Sequence, residues 1–232
     1  MTVAGKLFCD RFPPDKIPAL PTCGIFLRRE FPLKNNLEFP EGIHPCEDGL
    51  FSHFVLALTE KISFCPEAVY HYRQHEQGNH HQIRKRTADI LPMIPRWLSL
   101  IEEFYEQRHL WKRKAGHLVR FIEHEPFELR LLGMPFSPPE QEILYSIIRD
   151  FLNAHCTAAE CRRASLHLPF RLLLQSSGFS DFGRRLRRAG KNTGIRRKLL
   201  HFCPVPSWRR NGRARLRQVR EQLEEIRRNI TF

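Results

Sequence analysis

The 232 residues contain no C-x-x-C pair, no run of about 18 consecutive apolar residues and, toward the carboxyl end, very little negative charge. Seven cysteines, Cys9, Cys23, Cys46, Cys65, Cys156, Cys161 and Cys203, are an odd number at irregular spacing. That pattern argues against a disulfide framework and a zinc ribbon, and fits a reducing compartment. Without an apolar run long enough to span a bilayer, and with no apolar stretch after Met-Thr-Val-Ala-Gly-Lys, the expected location is cytoplasmic, peripheral at the inner face of the membrane.

The shortage of acid is local. From Asp181 to Phe232 there are 16 Lys and Arg against 4 Asp and Glu, so +12 of the net +13 lies there and the first 180 residues are nearly neutral. Such a tail asks for an anionic partner. With 41% apolar residues the body can bury a core, and disorder throughout is excluded.

Residues 1–46 are dense in proline, from Pro13-Pro14 to Pro45, which excludes long helices and suggests short extended pieces crossing a sheet edge. After Glu47-Asp48, the residues Leu50, Phe51, Phe54, Val55 and Leu58 recur at helical spacing as one buried stripe, with Asp48 at the helix N-terminus. Ile62–Cys65 and Ala68–Tyr72 read as short strands. From Thr87 to about Phe121 the pattern is helical, interrupted near Pro92 and Pro95. Ser137-Pro-Pro-Glu140 is the signature of a capped helix start. Ser176–Gly194, with four glycines among arginines, reads as a mobile basic linker, and Trp208–Ile230 as a basic amphipathic helix with Leu216, Val219, Leu223 and Ile226 on one side. The aromatics Trp97, Phe104, Tyr105 and Trp111 sit at core spacing, where packing is the default and a sugar-stacking platform the rival.

Three features stand in order between Cys23 and about Gln82: Leu27-Arg-Arg-Glu-Phe with Phe39-Pro-Glu-Gly after it, Glu47-Asp48 opening an apolar helix, and Tyr70-His-Tyr-Arg73 some twenty residues on. Together they resemble the second half of a family 2 glycosyltransferase domain. The resemblance implies an α/β fold, a partial GT-A-like mixed sheet with helices over residues 1–86, here followed by an all-α extension over 87–175 and the basic linker and amphipathic helix over 176–232. It implies inverting sugar transfer from a nucleotide-sugar donor to a glycan or lipid-linked acceptor in cell-surface polysaccharide or lipopolysaccharide assembly. Asp48 would be the catalytic base, Glu47 its neighbour at the acceptor side, and Arg73 a partner of the donor diphosphate. The family's Asp-x-Asp occurs nowhere in this chain. Either a truncated or split enzyme or a separate chain supplying the donor-binding half is therefore expected, and in the complete enzyme a divalent metal, Mn or Mg, that His75 would help to hold.

Each of these residues has a plainer reading. Glu47 and Asp48 suit any helix N-terminus, Arg73 could pair with a nearby acid, and His71, His75, His80 and His81 lie in a polar stretch without acid or thiol ligands at fixed spacing. For Arg209, Arg210, Arg213, Arg215 and Arg217 the choices are a solvated helix face, a nucleic-acid arm or a membrane-surface helix. Arginines around an apolar stripe that begins at Trp208 favour an anionic membrane surface, and nucleic acid is not expected. The alternative to an enzyme is a non-catalytic basic protein that binds acidic membrane or nucleic acid through this tail.

Overall fold

A computed structural model describes residues 24–59 and 86–199, together with the single positions Ala19, Ile62, Arg217, Val219, Glu221 and Leu223. Among the described residues 74% are helical and no strand occurs. The chain divides into two units, Met1–Glu125 and Pro126–Phe232.

In the first unit, α1 (Glu30–Lys34) and α2 (Glu47–Leu58) precede α3 (Thr87–Ile90), α4 (Met93–Gln107) and α5 (Trp111–Ile122). The break between α3 and α4 falls at Leu91-Pro92, where proline cannot donate to the preceding turn. Helix α2 is the centre of the unit. Every residue from Gly49 to Ala57 is buried, including Ser52 and His53. Ser52 resolves its hydroxyl by donating to Gly49 O at 3.1 Å. The amphipathic α4 turns Ile94, Trp97, Leu98, Ile101, Phe104 and Tyr105 inward, and α5 adds Leu118, Val119, Phe121 and Ile122. Phe54 stacks on Phe104 at 4.1 Å, Phe121 tilts over His53 at 4.3 Å, and Phe39 stacks on Phe51 at 4.1 Å.

These contacts correct the α/β reading. The apolar positions of α2 that a mixed sheet was expected to cover are covered by other helices, so the described core is all-α. The single buried stripe widens to the whole helix because α4 and α5 both pack against it. Of the two expected strands only Ile62 is described, and it belongs to neither helix nor strand; the rest lies outside the described residues. Over residues 24–45 the chain forms α1 and turns, with no sheet edge to cross among the described residues.

A π-helical segment, Glu123–Leu132, carries the chain across the division between the units, and Pro126 within it explains the wide turn, since its missing N–H removes one rung of an ordinary helix. The second unit contains α6 (Pro138–His155), α7 (Ala158–Ala164), α8 (Leu168–Gln175) and α9 (Phe179–Leu199). Helix α6 begins where Ser137-Pro-Pro-Glu140 requires: the Glu140 carboxylate accepts from Ser137 N at 2.7 Å and from its hydroxyl at 2.6 Å, which holds the Glu140 pKa low. Thr157 and Glu160 repeat the device at α7.

Phe127, Tyr145, Phe170, Phe179 and Phe182 form the aromatic core of this unit. Phe179, Phe182 and Leu186 recur at helical spacing and are buried, so α9 occupies the stretch expected to be a linker, and its glycines are tolerated within a packed helix. Arg149 of α6 closes the carboxyl end of α8 by donating from one nitrogen to the carbonyls of Leu173, Leu174 and Ser176 at 2.7, 3.0 and 2.8 Å. Of the C-terminal amphipathic stretch, Arg217, Val219, Glu221 and Leu223 are described as helical, with Leu223 buried and Arg217 exposed 3.8 Å from Glu221.

Candidate functional site

Helix α2 starts at Glu47, and the residue before it, Cys46, has φ 94°, a left-handed conformation uncommon outside glycine. That backbone folds the Cys46 side chain back over the first turn. A Cβ placed on Gly49 would stand 3.0 Å from Cys46 Sγ and 3.2 Å from Glu125 Oε1, so the glycine of Glu-Asp-Gly is the gap that admits both groups. Both neighbours are buried.

Three carboxylates thus gather around one helix N-terminus. Asp48 is exposed in the first turn, Glu47 is half-buried with its Oε1 3.4 Å from His44 Nδ1, and Glu125 is buried beside Gly49. The positive end of the helix dipole and its first free N–H groups favour negative charge at this spot. Glu125 was not singled out by sequence reasoning. The one available hint was Gly49 within an otherwise apolar helix, which signals a close approach but not the group that approaches.

Beneath this turn lies a polar cluster within the core. The Tyr105 hydroxyl stands 3.1 Å from His53 Nε2 and 3.4 Å from His117 Nδ1, and the two imidazoles stack at 4.2 Å with 7° between their planes. All three side chains are at most 1% exposed. The cluster ties α2, α4 and α5 together and fixes the roll of α2, hence the direction in which Glu47 and Asp48 project. Trp97 and Phe104 are buried with Tyr105 in the same core, as packing predicts, while Trp111 is half-exposed and donates to Glu106 at 2.6 Å.

Arg73 and His75 lie outside the described residues, as do Arg209, Arg210, Arg213 and Arg215 of the tail. Among the described residues no group of three His, Cys, Asp or Glu side chains is disposed to hold a metal ion, and His75, which the resemblance implies as a ligand, lies outside them. Among the same residues no helix is long and apolar enough to cross a membrane. No family model, curated protein or solved structure matches the chain.

Proposed function

We propose that the chain is the acceptor-side part of an inverting, nucleotide-sugar-dependent glycosyltransferase of cell-surface polysaccharide or lipopolysaccharide assembly, and that it works with a donor-binding half carried on another chain. The observation that carries this reading is the exposed Asp48 in the first turn of a helix buried from Gly49 to Ala57, with Glu47 before it and Glu125 beside Gly49. A sugar hydroxyl is a weak nucleophile. A fixed carboxylate accepts its proton while the oxygen bonds to the anomeric carbon and the bond from that carbon to the diphosphate oxygen breaks, the electron pair leaving with the diphosphate. Burial of α2 on all sides gives Asp48 the rigid mount such a base needs. The ordered motifs around Glu47-Asp48 add support from the sequence. Arg73 would meet the charge that develops on the diphosphate.

The test is calorimetric titration of UDP- and GDP-sugars into the purified chain, followed by a transfer assay, each beside Asp48→Asn. Transfer that falls by about a hundredfold or more in Asp48→Asn while donor affinity holds supports a base. No donor binding by the isolated chain fits a donor-binding half on another chain, whereas no transfer after the product of a neighbouring reading frame that encodes such a half is added would leave the second reading, a basic protein acting through its tail.

That second reading rests on a specific observation: Arg184, Arg187, Arg188 and Lys191 are exposed along α9, so a cationic face already begins on a packed helix. An anionic membrane surface is its partner. Sedimentation with anionic vesicles should drop when Arg209, Arg210, Arg213, Arg215 and Arg217 are all changed to Gln, and unchanged sedimentation would remove the membrane role.

A further inference from the structure

A second concave site lies at the opposite end of α2 from Glu47. A cavity of about 270 Å³ opens where Ala57 and Leu58 meet Asn35 and the turn between α4 and α5, and its polar side chains besides Asn35 are Arg108, Arg113 and Lys114. No carboxylate lines it, and among the described residues none of the three cations forms an ion pair. Helix α2 has 12 residues, so the two sites are separated by roughly 18 Å at 1.5 Å per residue.

Arg108 is held in place. Its Nη2 donates to Asn35 O at 2.9 Å, and its guanidinium carbon stands 4.3 Å over the Phe104 ring. Arg113 comes from the first turn of α5 and Lys114 from a kink just after it, with φ −124° and ψ 16°, and that turn has no acidic residue and no side-chain cap. Cations there oppose the helix dipole, where an anion would be favoured. The carboxyl end of α2 offsets this only in part, because a helix terminus carries about half an elementary negative charge against three full positive ones. Three cations without a carboxylate partner, Arg108 and Lys114 half-buried and Arg113 exposed, thus line one cavity, and an anion there would complement them.

We propose that this cavity binds the phosphoryl or pyrophosphoryl group of a small solute. Arginine forks suit such oxygens in pairs, and the lysine adds a point charge. Ala57, Leu58 and Leu110 supply the apolar part of its lining. The volume of about 270 Å³ lies just below the roughly 300–1,000 Å³ of ligand sites, which suits the charged group of a solute more than a whole nucleotide. The assignment stands independently of the role given to Asp48.

The experiment is titration of the full chain with inorganic phosphate and with pyrophosphate at fixed ionic strength, beside Arg113→Gln/Lys114→Gln. The basic tail attracts anions too, so the comparison with the variant carries the result. Saturable binding that weakens by about tenfold or more in the double variant, with helical circular dichroism retained, is expected for two lost charge-assisted contacts. Binding that fails to saturate, or is equal in the two proteins, overturns the proposal. Phosphatidate vesicles form a second arm: loss of vesicle capture in the variant with pyrophosphate binding unchanged would make the group a lipid headgroup and sink the small-solute assignment. If the double variant loses helicity, Arg113→Gln alone, altering an exposed side chain, carries the same comparison.

Discussion

Replacing Tyr105 by Phe removes a single oxygen from the centre of the first unit and leaves the ring packing intact. That oxygen stands 3.1 Å from His53 Nε2 and 3.4 Å from His117 Nδ1, in a region where all three residues are at most 1% exposed. Water cannot take its place without opening the core. Deleting one partner of a buried hydrogen bond costs about 1–3 kcal/mol, because the remaining polar atom bears its desolvation. Two imidazoles share this hydroxyl but the second contact is long, so a loss near 2 kcal/mol is expected. At about 3 °C per kcal/mol for a chain of this size, Tm should fall by roughly 6 °C. Calorimetry gives Tm, and urea unfolding should show a lower midpoint with an unchanged slope. A fall of less than about 1 °C would refute the reasoning, since the hydroxyl would then contribute nothing that a methine does not.

At the candidate site, Gly49→Ala should destabilise by about 1 kcal/mol despite the better helix propensity of alanine, because its methyl meets Cys46 Sγ and the Glu125 carboxylate; an equal or higher urea midpoint would show that both side chains can yield. Arg149→Met should cost about 2–4 kcal/mol in urea unfolding, since three carbonyls at the end of α8 lose a charged donor, and a change below about 0.5 kcal/mol would show that water replaces it. Asp181 is held at a pKa of about 2, below its ordinary 3.8, by hydrogen bonds from Arg185 and the Ser177 N–H. The folded value is the lower one, so its contribution is complete above the unfolded value and is lost as pH falls from about 4 toward 2. Following the Asp181 carboxyl by NMR should place its titration in that window, and Arg185→Gln should move it upward; an unmoved titration would show that the Arg185 contact is not made in solution.

Features encoded within a few residues were legible in the sequence. The start of α2 at Glu47, the interruption at Pro92 and the cap at Ser137 follow from helix-end chemistry, which depends on neighbours three or four positions away. The linker reading failed although its signal was present, because the glycines were weighted above the Phe179, Phe182 and Leu186 spacing. The sheet reading failed for a different reason: a short apolar run fits a strand or a buried helix equally, and nothing local says what covers it.

Charge distribution and local element boundaries were thus determined by the sequence alone, since both depend on composition and on contacts within one turn. That Glu125 lies beside Gly49, 76 positions away, that Tyr105 bridges His53 and His117, and that Arg108, Arg113 and Lys114 surround one cavity at the far end of α2 were decided only by tertiary structure. Those pairings depend on how helices cross, and each side chain's pattern in the sequence is the same whether its partner is water, a neighbouring helix or a ligand.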